Sequence, residues 1–581
     1  MALPDDPKTI ARLLEQVAQH AAGQLDCSTE VQRHTLPLRP FPAHSAQFVS
    51  SSCKESSGST VGAAAAAAGT GAGSGAGTGT AVGTMDEETR AFLKQGLSEH
   101  GSGLEKTVEE LLTRIGPSLA NSAGPRYFGL VTGGVTPAAL LADWVVSTYD
   151  QNTILWSDEQ TSGYSLITEL GMRMLVQLFD LPLPEQVGGR DGNDVVVVHS
   201  EANGDGDGGH EESKGFRAMT TTGSTASNIV GMAAGRQWLG IYDRDGTDYA
   251  QDGYDGQVVV VTNMAHASVW KAASILGIGR KQVVEVPEMG MGDSEEDERE
   301  EALESKVKEL KERGKSVLVF LAFGEVNTGI FPKNTRRIAE ICRKYNAYFH
   351  IDGAFGIYAR CSPKYAHLAD GLELAHSITA CGHKWLNVPY DCGLFLYRSS
   401  LETAILEPIF SSTAAYLRPS GTSFSHPMNI SIENSQRFRA LPVWATLHAY
   451  GREGYCRIVE ENCRFAKRMF DWMKVERCDL FEVLTEECPL NIVVFAGISL
   501  PNRSQEGGGE REKEVLERRN AKLLRAINET GVAYFSPTVW KGRAAIRAAI
   551  SNWKTTVERD WEPVRAMLEE QGEKILREEV V

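Results

Sequence analysis

Asp352 and Lys384 are the two residues of this chain whose types and setting most suggest chemistry. Asp352 ends an apolar, strand-like stretch, AYFHIDGAFG, and Lys384 sits in CGHKWLNVPYDCG. A lysine in a partly desolvated pocket has a lowered pKa and can hold an aldehyde as a Schiff base. A carboxylate at the end of a buried strand is costly unless a cation meets it, and a protonated ring nitrogen is such a cation. Taken alone, Lys384 reads as a surface lysine at a helix end. Taken together, the pair points to an aldehyde cofactor, pyridoxal 5′-phosphate (PLP), and to amino-acid chemistry.

Other residues fit the same picture. AMTTTGSTASNIVGMAAGR reads as a strand, a turn and a helix opening near Ser227. Backbone N–H groups and hydroxyls at Gly223, Ser224 and Thr225 would make an anion site for a cofactor phosphate. A capped helix start without ligand is the plain alternative. The turn is not GxGxxG and no GK[ST] follows, so dinucleotide and Walker-type readings are poor. His266, in NMAHASVWKAASILG, falls at another strand-to-helix junction. It could stack on a flat ring and assist proton movement, or simply cap the helix. Gly223, His266, Asn327, Asp352 and Lys384 all follow strand candidates, and ligands of open α/β sheets gather at the carboxyl ends of strands.

The elements that must position these residues alternate along the chain. Strand-like GQVVVVTN precedes helical HASVWKAASILG, and the charged helix EALESKVKELKERG leads to the apolar run SVLVFLAFG. NTRRIAEICRKYN is again helical, and AYFHIDGA again strand-like. Fully apolar short strands between amphipathic helices predict an α/β fold with a mostly parallel sheet covered on both faces. After about residue 445 the pattern changes to a helix, separated strands such as NIVVFAG and AIRAAIS, and a closing helix, which predicts a smaller C-terminal α+β domain over 445–581. The large domain is expected over 125–444, with a helical arm over 85–124. Residues 1–84 are expected to be a tail followed by a disordered Ala/Gly/Ser/Thr-rich linker, because such composition buries too little surface to offset chain entropy. The acidic, Gly-rich stretch 186–214 is expected to be a surface insertion.

Bulk properties exclude several classes. A net charge of −17 argues against nucleic acid or an anionic membrane as partner. Ten cysteines without CxxC spacing fit reduced thiols in a cytoplasmic protein, with neither a disulfide frame nor a metal site. The first residues, MALPDDPKTIARLLEQ, hold no apolar core of a signal peptide, and no run reaches the roughly 18 apolar residues of a membrane span.

In their order, these motifs resemble the group II PLP-dependent amino-acid decarboxylases, the family of the aromatic-L-amino-acid, tyrosine and glutamate decarboxylases. The resemblance covers roughly residues 105–570 and rests on RYFGLVTGGVTPAALLADW, TTGSTASN, HASVWKA, FGEVNTG, HIDGAFG, HKWLNVPYDCG, NSQRFRALPVWATLHAYGREG and TVWKGRAAIRAAISNWKTT. It implies the aspartate-aminotransferase-like fold type I, with a seven-stranded, mostly parallel sheet in the large domain. It also implies a homodimer with the active site at the subunit interface. By position it makes Lys384 the Schiff-base lysine, Asp352 the pyridinium partner and His266 the stacked histidine. Ser224 and Thr225 would hold the phosphate with His383 beside it, and Ala354 would pack on the ring. Tyr127, Phe128 and Thr132 match a segment that contributes to the substrate pocket, which would suit an aromatic or apolar L-amino acid; aromatics in a strand can equally be core. Arg439 and Arg547 could each bind a carboxylate or form a structural ion pair.

Two departures matter. FGEVNTG has Glu325 and Val326 where the family more often has two threonines, so a cofactor contact at Val326 cannot come from a hydroxyl. The segment RPSGTSFSHPMNISIENSQRF lacks the loop tyrosine that, in animal and plant aromatic decarboxylases, returns a proton to Cα; Phe424 and His426 are the nearest substitutes. Decarboxylation to amine and CO2 is the expected reaction. An aldehyde synthase, which couples decarboxylation to oxidative deamination, is the enzymatic alternative, and a non-catalytic protein on the same scaffold is the alternative of another class.

Overall fold

The apolar runs become the strands of one seven-stranded sheet in a computed structural model that describes residues 7–25, 87–151, 153, 163–184, 215–264, 266–286, 296–411, 426–498 and 510–580. The strands are β1 (Phe216–Thr221), β2 (Val258–Thr262), β3 (Val283–Glu285), β4 (Ser316–Ala322), β5 (Tyr348–Asp352), β6 (Ser377–Cys381) and β7 (Gly393–Arg398). Their order is β1-β7-β6-β5-β4-β2-β3. The pairs β6/β5, β5/β4, β4/β2 and β2/β3 are parallel, and only β7 runs against its neighbours.

Side chains alternate across a strand, so a sheet buried on both faces must divide each apolar run between two cores. It does so here. Val258, Val260, Leu318, Phe320 and Tyr348 join a cluster with the Ser224–Asp243 helix, while Val259, Val261, Val317, Val319, Leu321, Phe349 and Ile351 join the opposite one. That second cluster is completed by the Tyr164–Leu178 and Thr335–Lys344 helices and by the Ala440–Asp471 helix as far as Cys463. The expected boundary between residues 444 and 445 lies within the Ala440–Asp471 helix, whose chain turns at Gly451 (φ 57°).

A second, antiparallel sheet is built from β8 (Phe481–Val483), β9 (Ile492–Gly497), β10 (Ser536–Trp540) and β11 (Arg543–Ala549), in the order β10-β11-β9-β8. A two-residue hairpin joins β10 to β11, and both its residues, Lys541 (φ 46°) and Gly542 (φ 74°), take the left-handed conformation that matches strand twist. The helices Glu510–Glu529 and Val557–Val580 cover this sheet. The arm region holds the helices Glu87–Leu93 and Leu104–Glu110. The 186–214 stretch and residues 26–84 lie outside the described residues.

Residues 126–128 are tied to the second sheet and to the helix that covers it. Tyr127 bridges Tyr534, and the Phe128 N–H donates to the Tyr534 carbonyl at 2.8 Å. Beside them, Arg126 (1% exposed) donates through Nε to Asp560 (0%) at 3.0 Å. Truncating one member of such a pair leaves a buried charge poorly compensated. Arg126→Ala is therefore expected to cost about 3–5 kcal/mol of stability, read as a lower midpoint of urea unfolding; an unchanged midpoint would show that water reaches Asp560.

Candidate active site

One edge of the large sheet gathers the chemistry. β1 ends at the turn before the Ser224–Asp243 helix, β2 precedes His266, β5 ends in Asp352, and β6 ends in Cys381, just before His383 and Lys384.

The helix after β1 begins at Ser224, three residues earlier than the expected start near Ser227. The reason is local: Ser227 is buried and its hydroxyl pairs with Thr221 Oγ1 at 2.7 Å, so it sits inside the first turn rather than capping it. The capping position falls to Gly223, whose φ of 154° favours glycine and which supplies no side-chain cap. His383 Cε1 would lie 3.7 Å from a Cβ placed on Gly223, so this imidazole borders the turn. Its Nδ1 is buried without a hydrogen-bond partner, while its Nε2 lies 3.1 Å from Cys381 Sγ. Burial first, and then the charge of Lys384, push the His383 pKa down to about 4, so the ring is neutral at neutral pH. An orphaned ring nitrogen beside a helix N-terminus with no side-chain cap is what an anion such as a phosphate would complete.

Asn228 lies one helical turn beyond Ser224 on the same face. Its Nδ2 donates to Asp352 Oδ2 at 2.8 Å, and the Ala354 N–H donates to Oδ1 at 3.1 Å. One helix thus meets both the phosphate turn and the carboxylate. His266 is held by Ser268, whose Oγ lies 2.8 Å from Nδ1. Burial, followed by the charges of Lys384 and Arg547, lowers the His266 pKa against the opposing pull of Asp352. The Lys384 ammonium sits 5.7 Å from the centre of the Phe355 ring. Its backbone is clamped: a Cβ on Gly133 would fall 1.7 Å from the Lys384 carbonyl oxygen, and the fully buried Trp385 donates to Asn462 Oδ1 at 2.8 Å.

Several expected residues have other work. Phe128 is not brought to the site: its ring packs on Phe465 and Phe535 in the core of the second sheet. Asn327 donates to Glu325 Oε1 at 2.8 Å and accepts from Thr538 on β10, so it ties the β4 turn to the second sheet. His426 is buried, and its Nδ1 accepts the Met428 N–H at 3.1 Å as a helix cap. Phe424 lies outside the described residues. Arg439 pairs with Asp391 at 2.9 Å, which is the structural reading of that arginine. Tyr127 stacks on Tyr534 with ring centres 4.8 Å apart, and the Thr132 hydroxyl is buried without a partner.

Residues that the sequence reading passed over complete the picture. Asn228 was legible from its i, i+4 spacing to Ser224, and Ser268 from its place two residues after His266. Tyr390 stacks on His383 with centres 4.0 Å apart. Arg547, expected from the sequence either to bind a carboxylate or to form a structural ion pair, reaches in from β11: it donates to the Val326 carbonyl at 2.8 Å, leaves its Nε buried without a partner, and feels the buried Glu325, whose pKa is raised by desolvation.

An amine, a carboxylate and a stacked-ring candidate, with an anion-ready turn one helical turn away, fit the donor set that PLP needs. The pyridoxal-dependent decarboxylase conserved domain matches residues 87–497. The chain belongs to this decarboxylase family. An aromatic-L-amino-acid decarboxylase of Bacillus atrophaeus is 28% identical over 312 residues, which are 52% of this chain and 60% of that protein. An L-2,4-diaminobutyrate decarboxylase of Acinetobacter baumannii is 29% identical over 275 residues, 45% of this chain and 52% of that protein. The matches thus span only about half to three-fifths of these relatives' lengths. The crystal structure of Rhodiola rosea 4-hydroxyphenylacetaldehyde synthase superposes with a TM-score of 0.69 at 18% identity, covering 98% of this chain and 99% of that one. The decarboxylase family and this likeness make the fold the expected fold type I.

Proposed function

We propose that this chain decarboxylates an L-amino acid to its amine and CO2, with an aromatic or apolar side chain favoured. The observation that carries this reading is the convergence of Asp352, His266 and Lys384 at the strand ends of a decarboxylase-family fold. PLP supplies the aldehyde that takes up the substrate amine and the ring that accepts electrons from a bond to Cα. The protein's part is positional and electrostatic. The Lys384 Nζ holds the cofactor between turnovers and moves protons once freed. Asp352 would keep a proton on the ring nitrogen, and His266 would cover the ring. The turn at Gly223, Ser224 and Thr225 holds the phosphate with His383. Tyr390 stacks on His383 and lies close enough to Tyr127 to feel its charge, and Tyr127 in turn stacks on Tyr534; this aromatic neighbourhood supports a flat or apolar substrate side chain.

Aldehyde synthesis is the second reading. It is favoured by His426, whose Nδ1 is committed to a helix cap, in a loop segment without tyrosine. Incubating the PLP-loaded protein with pooled L-amino acids separates the two. Amine and CO2 in equal amounts support decarboxylation; aldehyde with ammonia and hydrogen peroxide supports the synthase; no consumption of any amino acid would return the non-catalytic reading.

The protein is further proposed to act as a homodimer. Leu141 (56% exposed), Val145 and Tyr149 form an exposed apolar stripe at i, i+4 and i+8, and Leu166 and Leu170 are exposed on the Tyr164–Leu178 helix. A second copy of the chain is the expected cover, and a monomeric mass by light scattering would sink that expectation. The eight described cysteines form no disulfide, which supports the expected cytoplasmic setting. Among the described residues, no helix is long and apolar enough to cross a membrane.

A further inference from the structure

The hydrogen bonds that hold Asp352 do not stop at Asn228. The Asn228 Nδ2 donates both to Asp352 Oδ2, at 2.8 Å, and to Ser268 Oγ, at 3.0 Å. Ser268 then meets His266 twice: its Oγ lies 2.8 Å from Nδ1, and its backbone N–H points at the same nitrogen from 3.2 Å. Chemistry settles the direction of each bond. A carboxylate only accepts, so the Asn228 amide must turn its NH2 toward Asp352. The second amide hydrogen then falls to Ser268 Oγ, whose own hydrogen is left for His266. A backbone N–H only donates, so Nδ1 is an acceptor and the ring proton belongs on Nε2.

We propose that Asn228 and Ser268 are positioning residues that join Asp352 and His266 into one relay and hold His266 as its neutral Nε2–H tautomer. Both are almost wholly buried, at 1% and 4% exposure, so water does not compete for these bonds. The Asn228 Oδ1 is itself buried without a partner. An amide that keeps its carbonyl orphaned does so because the Asp352 bond dictates its orientation. Three charged groups face His266: Asp352 at the end of β5, Lys384 after β6 and Arg547 on β11. Two of these are cations, which favour the neutral ring, and the relay decides which nitrogen then carries the proton. The His266 edge bearing Nε2 is left to present an N–H donor.

The inference rests on the proposed placement of Asp352 and His266 against the cofactor, and its test separates the two. Full-length, PLP-loaded protein labelled with 15N at histidine is expected to show His266 with a bare Nδ1 and a protonated Nε2 at neutral pH. Loss of the signal in His266→Gln assigns it among the thirteen histidines. Asn228→Ala touches neither ring nitrogen, yet it is expected to shift both His266 signals; Ser268→Ala is expected to populate the other tautomer, and Ser268→Thr to restore the first. A protonated Nδ1 in the unmodified protein, or His266 signals unmoved by both alanine variants, would overturn the relay even if those variants were less stable. In parallel, the pH midpoint of the visible absorbance of the lysine-bound cofactor is expected to move in Asn228→Ala. The expected 15N pattern with an unmoved midpoint upholds the relay and removes Asp352 from the cofactor ring instead.

Discussion

Lys384→Ala is expected to lower kcat by roughly 10²–10⁴-fold from the loss of proton transfer alone, since a positioned acid–base group contributes about that much. The loss of the covalent anchor adds to it. The visible absorbance of the lysine-bound cofactor should vanish at the same time. Both readouts are interpretable because the surrounding backbone does not depend on the side chain. Gly133 packs against the Lys384 carbonyl, Asn387 donates to that carbonyl at 3.3 Å, and Trp385 is locked to Asn462. The variant should therefore melt at nearly the same temperature as the parent. If turnover and the absorbance band both survive in a folded Lys384→Ala protein, Lys384 is not the anchor, and the reading of the whole edge of the sheet fails with it.

How much of this was legible in the residues differs between backbone and side chains. The large sheet was readable because its strands are apolar at every position, and only a sheet covered on both faces can use such runs, as the division of Val258–Val261 between two cores shows. The positions of Gly223, His266, Asp352 and Lys384 were readable for the same reason: each follows a strand. Side-chain direction was not. Phe128 and Tyr127 are adjacent, yet in an extended segment neighbours point to opposite sides, so one stacks on Tyr534 while the other enters the core of the second sheet. Asn327 follows a strand as His266 and Lys384 do, but its partner Thr538 is contributed by a strand far along the chain, which no local pattern announces. His426 stands in the sequence as a near substitute for the loop tyrosine, and only the Pro427–Ile430 turn shows that its Nδ1 accepts a backbone N–H.

The same distinction explains why the second sheet matters to the site. Thr538 and Arg547 both bond the turn after β4, one through Asn327 and one through the Val326 carbonyl. Glu325 gathers that turn internally, accepting the Asn327 and Thr328 N–H groups at 2.9 and 2.8 Å and the Thr328 hydroxyl at 2.8 Å. The departure from the more usual threonine pair therefore has a structural use: a buried carboxyl orders the turn from within, and Arg547 spans from it toward His266.

Asp352→Asn is the second large effect. The carboxylate is positioned on both oxygens, by the Asn228 amide and the Ala354 N–H, so its charge is aimed rather than merely present. Such preorganised groups contribute most where charge develops, and removing one typically costs about 10²–10³-fold in kcat. Asparagine keeps the size and loses the charge, so the protein should fold and bind PLP while kcat falls by that order and the substrate KM changes little, because the lost interaction is made as charge builds rather than on binding. The variant also tests its own neighbourhood. The introduced amide would offer an NH2 where the carboxylate only accepted, so the Asn228 amide would be free to turn and satisfy its orphaned Oδ1. Asp352→Glu keeps the charge but misplaces it by one methylene; it should recover part of the rate only if charge, and not shape, is what Asp352 supplies. Equal kcat in the parent and Asp352→Asn would mean that the ring nitrogen needs no anionic partner here, and would leave the aimed carboxylate without a purpose in catalysis.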